Sequence, residues 1–218
     1  MKEGTNKILL NALYFVNLIF EFVNYIGIIA FAISGSMKAI KKGMDLLGVI
    51  ILGISTSLGG GIIADILLGK TPPTNLTYYP YVLTSIISSL ITFTFYKIFT
   101  NARKPLLYAD AIGLSAFASS GASLAFSFSH VFLLVTTIGT ITAVGGGVIR
   151  DVLSAEVPLI LIREFYATAA FIGATVYYTL RIMGYPDIIS TAISFLVTLT
   201  LRILAMKYNW ELPKIEVK

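Results

Sequence analysis

Three consecutive glycines and, four residues on, an acid occur twice in this chain, each time inside an apolar stretch. Gly59-Gly60-Gly61-Ile62-Ile63-Ala64-Asp65 returns 86 residues later as Gly145-Gly146-Gly147-Val148-Ile149-Arg150-Asp151. Each interior glycine costs a helix roughly 1 kcal/mol relative to alanine. The neighbouring runs Leu46 to Ala64, Thr71 to Tyr96 and Ala111 to Ile149 contain no Asp, Glu, Lys or Arg. A hydrocarbon layer of roughly 30 Å needs about 20 such residues to cross it. Lipid offers no partner to a freed backbone group, so an interrupted helix survives there mainly where it lines a polar cavity. Two interruptions at matching places predict a membrane pathway built around the triplets.

The match extends beyond the glycines. Without gaps, residues 26–72 are identical to residues 112–158 at 19 of 47 positions. Phe31/Phe117, Ser34/Ser120, Gly35/Gly121, Gly53/Gly139, Thr56/Thr142, Asp65/Asp151 and Pro72/Pro158 are among them. Shared apolar composition does not align glycine, serine, proline and aspartate together, so the chain is read as a duplication.

Apolar length and turn residues place seven helices at about 12–38, 45–69, 79–99, 106–128, 131–154, 161–181 and 186–206. The expected fold is an all-α membrane protein forming one transmembrane domain over residues 1–218. Repeat one covers about 12–99, repeat two about 106–181, and the seventh helix about 186–206. Three helices per repeat is an odd number, so the second copy enters from the opposite side and the repeats are inverted. Basic residues then orient the bundle. Lys2, Lys7, Lys70 and Arg181 lie on one side, against eleven on the other, from Lys38 to Lys218. The N-terminus is expected outside and the C-terminus in the cytoplasm.

Composition narrows the function. Only 12% of residues are charged, half the roughly 25% of soluble domains. The net charge of +5 gathers into no basic cluster on a soluble scaffold, so a nucleic-acid partner is not expected. Cysteine is absent. No Ser-His-Asp set, metal cluster, nucleotide loop or acid pair at catalytic spacing stands out. Neither an enzyme nor a cofactor or resident metal is expected.

The candidate site is the stripe of small and hydroxyl residues leading into each triplet. It comprises Thr56, Ser57, Gly59, Gly60 and Gly61 in one copy and Thr142, Gly145, Gly146 and Gly147 in the other. Exposed carbonyls and half-helix ends there suit a small cation. Asp65, Arg150 and Asp151 are the candidate pathway charges, because ionisable groups inside a membrane usually face the bundle interior. Arg150 reads as a gate, a lipid-phosphate contact or half of a structural pair. Asp65 reads alternatively as a helix-end cap or a partner to Lys70. Close helix packing is the competing reading of the glycines. Lys38, Lys41 and Lys42 form a basic boundary cluster able to anchor the chain, bind anionic lipid headgroups or act as a gate.

These residues, with Arg150-Asp151-Val152-Leu153, Val157-Pro158-Leu159 and Arg163-Glu164-Phe165-Tyr166-Ala167-Thr168-Ala169, resemble the prokaryotic branch of the trimeric intracellular cation channel family. The resemblance runs from Tyr25 to about Met206. It implies a homotrimer in the plasma membrane of a prokaryote. Each subunit would hold its own pore, lined by kinked helices two and five and passing potassium and sodium. One departure stands out: bacterial relatives commonly carry arginine before the aspartate in both repeats, and here the first repeat has Ala64. The alternative reading is a secondary transporter of a small neutral solute such as glycine, since inverted repeats with broken helices also build transporters.

Overall fold

The computed structural model describes the backbone of residues 2–100, 105–162 and 165–210, and the side chains within them from Glu21 onward, except 99 and 100. The described residues form ten helices and no strand. They are α1 (Lys2–Lys41), α2 (Leu46–Leu67), α3 (Thr74–Thr77), α4 (Tyr79–Thr94), α5 (Tyr96–Thr100), α6 (Pro105–Phe128), α7 (Phe132–Leu153), α8 (Leu159–Ile162), α9 (Ala167–Ile182) and α10 (Asp187–Tyr208). Five helical stretches are long and apolar enough to cross a membrane: Glu21–Lys41, α2, α6, α7 and α10. Shorter helices of 16 residues, α4 and α9, stand between them.

Each of the seven expected helical ranges overlaps one of these longer helices. Three boundaries differ. The first helix begins at Lys2 rather than near residue 12. The range 79–99 is divided at Phe95 into α4 and α5. The range 161–181 is divided as well, because Phe165 has φ 59, a left-handed conformation that cannot continue a right-handed helix. Arg163 and Glu164 of the family-like motif lie outside the described residues, as do Arg103, Lys104, Lys214 and Lys218 of the charge count and the side chains of Lys2 and Lys7.

Helices α1, α2 and α4 pack on one another, and so do α6, α7 and α9. The two groups meet through α1 on α6 and α2 on α7, while α10 covers α9 and α6. Small residues set these distances. Gly35 faces the Thr56 hydroxyl, and Gly121 faces the Thr142 hydroxyl in the matching place. Those threonines donate to the carbonyls of Leu52 and Ile138, both at 2.6 Å, which satisfies each hydroxyl without a second helix. Phe31 and Phe117, also matched, meet between the groups with centroids 5.3 Å apart. The turns match too: Gly69 after α2 has φ 72 and Ala155 after α7 has φ 54.

Candidate functional site

The triplets are where α2 and α7 cross. A Cβ on Gly60 would run into the carbonyl oxygen of Thr142, and one on Gly146 into the carbonyl oxygen of Thr56. One on Gly145 would lie 3.2 Å from Gly60 Cα. The contact is therefore backbone on backbone. It is also reciprocal: as α2 advances from Thr56 to Gly60, its partner on α7 recedes from Gly146 to Thr142. The two helices are antiparallel at the crossing, which puts Asp65 and Asp151 on opposite sides of it.

The expected interruption of the helices does not occur. Residues 46–67 and 132–153 are helical without a break through both triplets. The backbone carbonyls there stay in the helix, and the glycines serve the close approach instead. Contact between two helical backbones offsets the propensity cost.

The other predicted residues divide around this crossing. Gly59 faces Ile149, Gly61 faces the Asn75 amide, and Gly147 faces the Tyr166 hydroxyl. Ser57 turns away from α7, its hydroxyl 2.7 Å from that of Ser85 on α4. Thr142 reaches a cavity described below.

Beside α7 lies a fully buried charge centre. Arg150, on α7, has no exposed surface, which leaves no path for a lipid phosphate. Its Nε and Nη2 donate to the two Asp151 oxygens at 2.9 and 3.1 Å. Its Nη1 donates to Asp110 Oδ1 at 2.5 Å and to Ser34 Oγ at 2.6 Å. The Tyr166 hydroxyl also donates to Asp110 Oδ1, at 3.2 Å, and the Arg202 guanidinium lies 4.7 Å over the Tyr166 ring. Lys38 Nζ approaches Asp151 at 3.8 Å and binds Glu156, which Lys42 reaches at 2.8 Å. Two cations, Arg150 and Lys38, thus face two buried anions, Asp110 and Asp151. An isolated charge here would cost several kcal/mol; a paired and hydrogen-bonded set offsets that. Lys41 lines the surface pocket shared by Lys38, Lys42 and Glu156.

Asp65 sits at the end of α2, 3% exposed. Its Oδ2 accepts the Thr74 N–H at 2.7 Å, and its Oδ1 lies 3.9 Å from Lys70 Nζ. Asp151 does the same in its own half, accepting the Leu159 N–H at 2.9 Å. Next to Asp65 a cavity opens, with about 60 Å³ of room for water centres and Asn24, Asn75, Tyr81 and Ser120 in its wall. One water centre needs roughly 10–15 Å³, so a few fit.

Asp110 and Tyr166 belong to the site and were not among the candidates. Asp110 stands one residue before the apolar run that begins at Ala111. Its repeat-mate Asn24 lies two residues before the aligned window, and the polar pair Asn24/Asp110 at one register was the available signal.

Among solved structures, one from a study of conductance through TRIC cation channels is 65% identical, with a TM-score of 0.85 over 91% of this chain and 98% of that one. The chain belongs to the prokaryotic TRIC family. A prokaryotic TRIC channel solved in 0.5 M KCl is 47% identical, with a TM-score of 0.84 over 90% of this chain and all of that one. The family model described as glycine transporter, which covers the TRIC proteins, matches residues 21–97 and 107–181. The inner membrane protein YadS of Escherichia coli (strain K12) is 37% identical over 202 residues, 88% of this chain and 93% of its own. The chain is thus an all-helical membrane protein of the TRIC channel fold.

Proposed function

We propose that this TRIC protein is a monovalent cation channel that passes potassium and sodium, with one pathway per subunit along the crossing of α2 and α7. It works as a homotrimer in a prokaryotic plasma membrane. Seven helices cross the bilayer, in two inverted three-helix repeats and a seventh helix, with the N-terminus outside and the C-terminus in the cytoplasm. The reciprocal contacts of Gly60 with Thr142 and Gly146 with Thr56 support the two-fold relation between repeats.

The observation that carries the reading is the placement of one buried carboxylate on each side of a glycine crossing. A cation entering from one face meets the Asp65 carboxylate, and one entering from the other face meets the Asp151 carboxylate, paired with Arg150 and Lys38. At the crossing itself the backbone is uncluttered by side chains, so small displacements of two helices there change the width of a passage. The long stripe Gly53, Thr56, Gly60 and its mate Gly139, Thr142, Gly146 keeps the crossing free of bulky side chains.

The test is recording from purified protein in a planar bilayer under a potassium chloride gradient. Discrete steps reversing near the potassium potential are expected. A silent bilayer holding inserted protein would overturn the channel reading. The glycine-transporter description of the family model supports a second reading, a secondary transporter of a small neutral solute such as glycine. That reading requires saturable, gradient-coupled uptake of glycine into proteoliposomes, which a channel does not show.

A further inference from the structure

The guanidinium of Arg150 is held by four side chains or their direct partners: Asp151, Asp110, Ser34 and, through Asp110, Tyr166. Each has a counterpart in the other repeat. Asp65 matches Asp151, Asn24 matches Asp110, and Ser120 matches Ser34 at the offset of 86; Tyr81 matches Tyr166 at 85, after one residue is lost in the preceding turn. All four counterparts line the cavity beside Asp65. The hydrogen bonds agree with the matching. Asn24 Nδ2 donates to Tyr81 Oη at 3.4 Å, where Tyr166 donates to Asp110 in the other half, and the Tyr81 hydroxyl itself donates to Glu21 at 2.9 Å. Ala64 stands where the arginine would, so no guanidinium occupies the space that these counterparts surround.

We infer that the first-repeat cavity is a binding site for a small monovalent cation, at the position that Arg150's guanidinium fills as a built-in cation in the second repeat. This deepens the channel reading and rests on it for the ion's passage. The binding itself is a separate property.

Two further observations point to a ligand. Thr74 Oγ1, in the cavity wall, is buried and has no hydrogen-bond partner among the described residues. Asp65 Oδ1 lies 3.9 Å from the Lys70 ammonium, beyond hydrogen-bond reach. Lys70 is 41% exposed, so it can leave for water when an ion arrives. The charges explain the substitution of Asp110 by Asn24. Without the arginine, two carboxylates in the wall would hold a single ion too tightly or repel each other; a wall of Asp65 with neutral oxygens, and with Glu21 one step back behind the Tyr81 hydroxyl, binds and releases. One half of the molecule thus keeps a fixed cation and the other takes a mobile one.

The experiment is anomalous diffraction from crystals of the full-length protein soaked in thallium(I), with current recorded in parallel. Wild-type protein is expected to show a thallium peak within the cavity beside Asp65, and Asp65→Asn to lose it. The paired change Ala64→Arg with Asn24→Asp transplants the second-repeat centre; it is expected to remove the peak and lower current about tenfold or more. Asn24→Asp alone leaves the cavity open and is expected to raise occupancy at limiting thallium. No peak in wild type at concentrations that saturate current, or a peak unchanged by Asp65→Asn, would overturn the site. Should the paired variant fail to fold, the wild-type and Asp65→Asn crystals decide the matter. Current without a cavity peak sinks this inference and leaves the channel; a cavity peak without current sinks the channel and leaves the site.

Discussion

Asp110→Asn changes one atom and removes one charge from a buried set. Arg150 keeps its two bonds to Asp151 and its bond to Ser34, but loses an anion 2.5 Å from Nη1. Unit charges about 4 Å apart interact by roughly 4 kcal/mol at an effective dielectric constant of about 20. Breaking a buried pair typically costs about 3–5 kcal/mol. The retained carboxylate of Asp151 places Asp110→Asn near 3 kcal/mol by the same measure. Arg150→Ala leaves Asp151 with Lys38 at 3.8 Å and Asp110 with the Tyr166 hydroxyl, and belongs near 5 kcal/mol. The double variant reproduces the Asn24 and Ala64 pair that the first repeat already tolerates. It is expected to be about 2–3 kcal/mol less destabilised than the sum of the singles. Calorimetric melting of the detergent-purified protein measures this. At about 2–4 °C per kcal/mol for a chain of this size, Asp110→Asn alone lowers the midpoint by roughly 6–12 °C. If the two losses simply add, Arg150 and Asp110 do not act as a pair and the matching of the two halves fails.

Gly60→Ala and Gly146→Ala each push a methyl group into a main-chain carbonyl across the crossing. Both are expected to cost about 1–3 kcal/mol by overpacking and to suppress current with the oligomer intact on size exclusion; normal melting and conductance of both would refute the tight crossing. Gly145→Ala, with 3.2 Å to Gly60 Cα, should be milder in the same assays. Ala155→Gly relieves an exposed left-handed residue with φ 54 and is expected to raise stability by about 1 kcal/mol; an unchanged midpoint would contradict this. Hydrogen bonds from Lys38 and then Lys42 lower the Glu156 pKa from 4.5 to about 2. A carboxylate depressed in the folded protein stabilises it above its ordinary value and loses that contribution as pH falls from 4.5 towards 2. With Glu156 42% exposed the effect on stability is small, so carboxyl NMR titration against Glu156→Gln is the measurement, and an ordinary midpoint would break the assignment.

The placement of the helices was legible because membrane crossing imposes a length, and that length is visible as charge-free runs. Close packing at the glycines is present in the sequence only as the competing reading, because a glycine triplet inside an apolar segment fits an interruption as well as a contact. What the triplets do to the helix was misjudged, because propensity alone does not include the contact that offsets it. The charge centre was half visible. Arg150 and Asp151 stood out as ions in an apolar segment, but Asp110 stands at the edge of its run and looks like a boundary residue. Ser34 stands only among the repeated identities, and Tyr166 falls out of the ungapped register by one residue. These partners come from α6, α1 and the turn before α9, and their convergence is a property of packing that no local pattern contains.

The facing pair Phe31 and Phe117, with the crosswise Gly60 and Gly146 contacts, has the form of an isologous interface, one in which each side sees its own likeness. Two separate copies joined this way would feel every substitution twice, since both sides change together. Joined in one chain, the copies are free to diverge. An arginine and its aspartate can be exchanged in one half alone, while the residues on the shared axis stay identical because each still packs against its own kind. Fusion is what lets a molecule built on symmetry have two unlike halves.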